Sequence, residues 1–155
     1  CSLKQAKGVL AATDKSNKPV WISFSVDDID GAKLRSGEKL EDVEAVINNH
    51  LVEAVLINCS PPEVVDNALS ILSKMGKAFG AYANGFSKIS SEFLKTRPTV
   101  DSLTARKDLG PEEYSNFVTN WIRNGASIVG GCCEIGPTHI SKISQKIHEL
   151  GYKTL

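Results

Sequence analysis

The chain has 155 residues, of which 41% are hydrophobic and 23% are charged, and this is enough for one globular domain with its own core. Its 18 lysines and arginines balance its 18 aspartates and glutamates, so we expect neither nucleic acid nor an anionic membrane surface as a partner. No apolar run approaches the roughly 18 residues of a membrane-spanning helix, and no secretory signal is visible, which predicts a cytoplasmic protein. The chain begins at Cys1 and not at Met, which indicates processing or a piece of a longer protein.

Short apolar runs alternate with amphipathic stretches along the whole chain. The run at 20–25 is rich in β-branched and aromatic residues, and the one at 54–58 is continuously apolar, as in a strand covered on both faces. The amphipathic stretches carry apolar residues at helical spacing, and several end at a glycine. Strands are predicted at 20–25, 54–58, 78–83 and 127–129, and helices at 1–13, 40–51, 61–75, 111–124 and 137–150.

This order, a helix followed by four strand–helix units, predicts an α/β fold with parallel strands and helical crossovers. A unit averages roughly 35 residues, and eight such units form a (β/α)8 or TIM barrel of typical size. Four units therefore predict half of such a barrel, with helices outside. A small doubly wound sheet is the competing architecture.

One connection, at 84–110, is much longer than usual for this kind of fold. It follows a strand, so it is expected on the face where barrel enzymes carry their sites. It is either a surface excursion with a short helix or a lid over a substrate.

Three cysteines stand at predicted strand ends. Cys59 follows the second strand, and Cys132 and Cys133 follow the fourth, directly after Gly130 and Gly131. Because parallel strands end at the same edge, the three thiols should converge there. Three sulfur ligands suit Zn²⁺ and leave the fourth tetrahedral position open, as in catalytic sites. The paired glycines would let two adjacent cysteines turn toward one metal.

A zinc ion with three thiolate ligands favours alkylation of a fourth, substrate sulfur over hydrolysis, because water activation usually employs His and carboxylate ligands. Three alternatives stay open. The cysteines could be small buried hydrophobic residues, they could form a non-catalytic zinc-thiolate or redox-sensing site, or the half barrel could be an interaction module that needs a partner half.

Four segments resemble the homocysteine S-methyltransferase family: PVWISFS (19–25), INCSPPEVV (57–65), AYANG (81–85) and IVGGCCEIGPTHI (128–140). The resemblance implies a (β/α)8 barrel in which three cysteines bind zinc. These map onto Cys59, at the end of the sixth barrel strand, and onto Cys132 and Cys133, after the eighth. It implies that homocysteine supplies the fourth sulfur and becomes methionine. The implied methyl donor is S-methylmethionine or S-adenosylmethionine, or, less expected, betaine or a methylfolate.

The family's Asp-Gly-Gly element on the first strand and its Glu on the fourth strand are absent from this chain. The resemblance therefore implies one partial domain over 1–155, the C-terminal half of the barrel, inactive by itself. Asn58 and Asn84 resemble the family's strand-end asparagines, and with Gly130 and Gly131 they are expected to bind substrate; a loop-closing role is the alternative for the asparagines. Trp21 and Trp121 are predicted to lie in the core.

Overall fold

A computed structural model describes residues 2–48, 50–87 and 103–154. Within these ranges, four strands form one sheet in the order β1-β2-β3-β4, and every neighbouring pair is parallel. The strands are β1 (Val20–Phe24), β2 (Val52–Asn58), β3 (Ala78–Tyr82) and β4 (Ile128–Val129). The helices are α1 (Leu3–Thr13), α2 (Val43–Ile47), α3 (Pro62–Leu72), α4 (Pro111–Arg123) and α5 (Pro137–Glu149).

The strand register sets the C-terminal ends level with one another. Phe24 pairs with Ile57, Ile57 with Ala81, and Ala81 with Val129. The segments that follow this row therefore leave the sheet side by side at one edge. The unbroken sequential order also confirms the half-barrel prediction over the doubly wound one, in which the strand order reverses at a switch point.

The two faces of the sheet have different surroundings. Ile22, Phe24 and Ile57, which share one face by the two-residue alternation of strands, belong to the main core together with residues of the helices. Ala54 and Leu56 on the other face are buried but lie outside that core cluster. In the described part of the chain the helices pack against the first of these faces, as the wall of a barrel requires.

The core prediction is right for Trp121 and wrong for Trp21. Trp121 is 0% exposed, whereas Trp21 is 58% exposed. The reason is its position. Trp21 alternates with the buried Ile22, so it points to the face that the helices do not cover, and it lies on β1, an edge strand.

The first crossover helix is shorter than predicted. A 3₁₀ turn at Leu40–Asp42 leads into α2, which ends at Ile47 where 40–51 had been expected. The amide of His50 donates to the carbonyl of Ile47 at 3.0 Å and turns the chain toward β2, which leaves Leu51 exposed. The other elements agree with the prediction to within a few residues; α3 continues as a 3₁₀ turn at Ser73–Met75.

Two loops lie at the C-terminal edge of the sheet. The loop after β1 folds back on itself through antiparallel bridges from Val26 to Leu34 and from Lys33 to Lys39. The long connection at 84–110 starts and ends with a similar pairing, between Phe86 and Ala105. The predicted short helix or lid falls mainly on 88–102, which lies outside the described residues. No helix of the described ranges is long and apolar enough to cross a membrane.

Candidate metal centre

Three sulfur atoms meet at the C-terminal edge of the sheet. Cys59 follows β2 directly, and Cys132 and Cys133 follow β4 after the two glycines. The three Sγ atoms all lie within 4.8 Å of one another, and those of Cys132 and Cys133 are 3.7 Å apart. The structure therefore brings together the three thiols that the sequence predicted to converge.

The spacing and chemistry of this donor set fit a zinc ion. Bonds of about 2.3 Å at tetrahedral angles separate two ligand sulfurs by roughly 3.8 Å. The distance between Cys132 and Cys133 already has this value, and Cys59 lies within 4.8 Å of both sulfurs. Three protein ligands leave one tetrahedral position for a further ligand. The cluster can hold a metal, and a tetrahedral ion bound by it would accept a fourth donor.

Cys59 reaches the cluster through an unusual backbone conformation. Its φ is +48°, in the left-handed region, which costs an L-residue roughly 1–2 kcal/mol. Its amide donates to the carbonyl of Tyr82 at 3.4 Å. The change of conformation at the strand end breaks the regular alternation of side chains, which would otherwise set the direction of the thiol.

The segments after β3 and β4 hold each other in place. The amide of Cys132 donates to the carbonyl of Ala83, and the amide of Gly85 donates to the carbonyl of Cys133, both at 2.9 Å. Glu134 then adopts φ +65° and turns the chain toward α5. The cysteine pair is thus tied by main-chain bonds on both sides to the end of β3.

The predicted substrate-binding residues lie at this edge, with different surroundings. The Oδ1 atom of Asn58 accepts a hydrogen bond of 3.2 Å from the Ser25 hydroxyl. Asn84 is only 2% exposed, and its Oδ1 accepts from the Phe86 amide at 3.1 Å, which closes an Asx turn. The loop-closing alternative therefore describes what Asn84 does in this structure. Substrate contact by these residues stays a prediction.

The two glycines differ in the space around them. A β-carbon on Gly131 would lie 2.1 Å from Cγ2 of Ile135, whereas one on Gly130 would meet the Tyr82 β-carbon at an ordinary 3.6 Å. Gly131 is needed for the packing of the loop after β4. Gly130 and Gly131 are both half-buried, and only Gly130 has room for a β-carbon. Substrate contact by either glycine stays a prediction.

The cysteine cluster concentrates negative charge on one sulfur. A hydrogen bond from Cys59 lowers the pKa of Cys132 to about 5, against the partial burial of that thiol. The pKa of Cys59 is raised because its proton is held in that bond, and burial adds to the effect. The pKa of Cys133 is raised, chiefly by burial. Without metal, the cluster therefore holds a thiolate at Cys132 at neutral pH.

Two residues that the sequence did not single out support this edge. The buried hydroxyl of Tyr114, on α4, lies 2.8 Å from the carbonyl of Gly130 and 3.2 Å from that of Ala83. The guanidinium of Arg35, in the loop after β1, donates to the carbonyl of Cys59 at 2.9 Å. Neither residue stands near a cysteine in the sequence, so no local motif could have indicated it.

The sequence of this chain is similar to those of homocysteine S-methyltransferases and a related methyltransferase. The family model of homocysteine S-methyltransferase matches residues 1–147. Homocysteine S-methyltransferase 1 of Arabidopsis thaliana is 31% identical over 145 residues, which cover 92% of this chain and 42% of the relative. A selenocysteine methyltransferase of Astragalus bisulcatus is 28% identical over 144 residues, covering 90% of this chain and 39% of the relative.

A solved structure shares the fold. The apo form of the homocysteine methyltransferase MmuM from Escherichia coli superimposes with a TM-score of 0.67 at 22% identity. The match covers 94% of this chain and 46% of that one. The chain thus spans less than half the length of the relatives it matches, as expected of half a (β/α)8 barrel.

Proposed function

The chain belongs to the homocysteine S-methyltransferase family, and we propose that it is the C-terminal part of an enzyme that methylates the thiol of homocysteine to give methionine. We further propose that Cys59, Cys132 and Cys133 hold a zinc ion as its cofactor. The observation that carries the proposal is the meeting of three sulfurs within 4.8 Å at the C-terminal edge of a parallel sheet.

The chemistry of the ligands favours attack by a thiolate. When bound, zinc would keep the homocysteine sulfur ionised at neutral pH, whereas a free thiol with a pKa near 8.5 is only a few per cent ionised. Three thiolate ligands would preserve the electron density of a fourth sulfur. Among the residues that the structure describes, neither the imidazoles nor the carboxylates typical of hydrolytic zinc sites join the cluster. A carbon–sulfur bond forms to homocysteine as the donor's bond to its methyl group breaks, and the thiol proton passes to solvent.

The methyl donor is proposed by class. A sulfonium donor, S-methylmethionine or S-adenosylmethionine, is favoured over betaine or a methylfolate. When it gives up its methyl group, the group that leaves is a neutral thioether. For the acceptor, Asn58 and Gly130 are the proposed contacts beside the metal, because Asn84 is almost completely buried and Ile135 fills the space beside Gly131. The proposed compartment is the cytoplasm, where thiols remain reduced.

We propose that residues 1–155 form a single, incomplete domain. The groups expected to hold the amino and carboxylate ends of homocysteine belong to strands that precede this part of the barrel. Loss of their orienting contacts can reduce a rate by several powers of ten. The exposed Trp21, on the face opposite the helices, supports the view that further structure covers this face in the complete enzyme.

The test is a methionine-formation assay with homocysteine and each candidate donor. The 155-residue chain is assayed alone and after mixing with a separately made N-terminal half taken from a relative, with selenocysteine as a second acceptor. We expect activity only in the mixture, with a blue shift of Trp21 fluorescence as that face becomes covered. Equal activity in the chain alone would refute the proposed location of the substrate contacts. No activity in a zinc-loaded complete enzyme with any donor would refute the methyltransferase proposal.

A redox-sensing or zinc-storing site is the second candidate, because Cys133 is exposed and lies beside a thiol of lowered pKa. A sensor would lose its thiolates to mild oxidants without any response to homocysteine. A catalytic site would bind homocysteine through its sulfur. Competition between homocysteine and a thiol-modifying reagent for the zinc-loaded protein separates the two.

A further inference from the structure

A partly buried arginine connects the loop after β1 to the cysteine cluster. The side chain of Arg35 is 16% exposed and that of its ion-pair partner Asp28 is 11% exposed. One terminal nitrogen, Nη2, makes both contacts at 2.9 Å, donating to Oδ1 of Asp28 and to the carbonyl oxygen of Cys59. Both hydrogens of that nitrogen are therefore used, one for the ion pair and one for the main chain of a cysteine in the cluster.

Arg35 is itself held firmly. Its amide donates to the carbonyl of Ser25, the residue that follows β1, at 3.0 Å. Its neighbour Leu34 is fully buried and bridges to Val26, so the loop is anchored on both sides of the guanidinium. Because a buried ion pair contributes little net stability after its charges are desolvated, stability alone is a weak explanation for this arrangement.

Cys59 is the cysteine whose backbone needs such a contact. Its left-handed φ of +48° is unfavourable for a residue with a β-carbon, and the loop must hold it there. The sheet supplies a partner for its amide, the carbonyl of Tyr82, and Arg35 supplies one for its carbonyl. If the carbonyl were released, Cys59 could relax toward an extended conformation, which would turn its thiol away from the other two.

We propose that Arg35 is a positioning residue of the metal centre: its hydrogen bond to the Cys59 carbonyl fixes the left-handed turn that aims the Cys59 thiol at Cys132 and Cys133. The inference rests on the proposed zinc site but concerns the geometry of the chain itself. Arg35 acts through the backbone and does not touch the metal, and Asp28 fixes the direction of its guanidinium.

The first experiment measures zinc affinity by competition with a chelator, and the absorption spectrum of the Co²⁺-substituted protein. Arg35→Met should weaken zinc binding about 10- to 100-fold, the usual effect of losing a group that orients a ligand, and should alter the sulfur-to-cobalt charge-transfer bands. Arg35→Lys keeps the charge and should recover part of the affinity. Arg123→Met, on the exposed last turn of α4, is the matched control and should behave as wild type.

The second experiment needs no metal. In a Cys133→Ala background, phenylarsine oxide bridges two thiols only when they lie close together, so its capture reports the approach of Cys59 to Cys132. Arg35→Met should slow that capture at least tenfold, as judged by the mass of the bridged Cys59–Cys132 peptides. Should Arg35→Met fail to fold, its combination with Asp28→Asn removes both charges of the ion pair and replaces it in both experiments.

The outcomes separate the two proposals. If the wild-type chain binds no zinc, the proposed metal centre is refuted. Capture by phenylarsine oxide still tests the positioning role of Arg35 in that case. The positioning role is overturned if the folded Arg35→Met variant has the same zinc affinity, cobalt spectrum and capture rate as the wild type. Recovery of affinity and spectrum by Arg35→Lys, but not by Arg35→Met, supports it, because an ammonium group can still donate to the Cys59 carbonyl.

Discussion

The side chain of Ile135 fills the space beside Gly131, so that a β-carbon on the glycine would lie 2.1 Å from Cγ2 and 2.5 Å from Cβ of the isoleucine. Ile135 is partly buried against the main core. Gly131 immediately precedes the cysteine pair, and the amide of Ile135 donates to the carbonyl of Cys132 at 3.2 Å. The contact therefore sets the path of the chain through the metal centre.

Replacing Gly131 by alanine should disturb this loop. The β-carbon must displace Ile135 from the core, and we expect a loss of about 1–3 kcal/mol in the free energy of unfolding, together with weaker zinc binding. Urea denaturation and chelator competition measure the two effects. Gly130→Ala is the control, because its β-carbon would meet Tyr82 at 3.6 Å. Equal stability and affinity in both variants would contradict the packing role assigned to Gly131.

Removal of the Tyr114 hydroxyl should loosen the same edge. The hydroxyl lies 2.8 Å from the Gly130 carbonyl and is fully buried, and burial raises the pKa of Tyr114, which keeps its proton in place as a donor. Tyr114→Phe should lower the free energy of unfolding by about 0.5–1.5 kcal/mol, because the Gly130 carbonyl loses its hydroxyl donor. Thermal denaturation tests this against Tyr152→Phe, at an exposed position near the C-terminus. Identical losses in the two variants would be evidence against the role of the hydroxyl.

The metal-free cluster should show an unusual dependence of thiol reactivity on pH. Because the pKa of Cys132 is lowered to about 5 by the Cys59 thiol, its alkylation by iodoacetamide should stay nearly constant from neutral pH down to about pH 5 and then fall. Cys59 and Cys133, whose pKa values are raised, should react mainly at alkaline pH. Mass spectrometry of the alkylated peptides assigns each rate. A Cys132 rate that climbs tenfold per pH unit between 6 and 8 would contradict the assigned thiolate.

In the same experiment, Cys59→Ala removes the hydrogen bond that holds the charge on Cys132. The alkylation profile of Cys132 should then move toward that of an ordinary thiol, with a pKa near 8.5. An unchanged profile would mean that Cys133 or the main chain holds the charge instead.

The fold was largely predictable because the hydrophobic pattern is regular. The continuous apolar run in β2 and the helical spacing in α3 and α4 each identify one type of element, and their alternation identifies a parallel sheet. Trp21 was misjudged because a strand pattern tells which residues share a face but does not tell which face is covered. The end of α2 was misjudged because apolar Leu51 continues the pattern into an exposed turn.

The candidate site was predictable only in part. The convergence of Cys59 with Cys132 and Cys133 follows from the strand order, since parallel strands end at one edge. The left-handed conformation of Cys59 has no signal in the sequence, because glycine is the residue that usually marks such a conformation. The part played by Arg35 could not be foreseen either, since its contact depends on the fold of the loop after β1, whose charged residues suggest an exposed turn.

X-ray absorption at the zinc edge tests the central claim most directly. The 155-residue chain, loaded with zinc and mixed with the N-terminal half of a relative, should show three sulfur neighbours at about 2.3 Å and a lighter fourth atom, and homocysteine should raise the sulfur count to four. Methionine, whose sulfur is already methylated, should leave the sulfur count at three. The Cys132→Ala/Cys133→Ala variant should retain no zinc. A sulfur count that homocysteine does not change, or zinc retained by the double variant, would contradict a catalytic zinc centre formed by Cys59, Cys132 and Cys133.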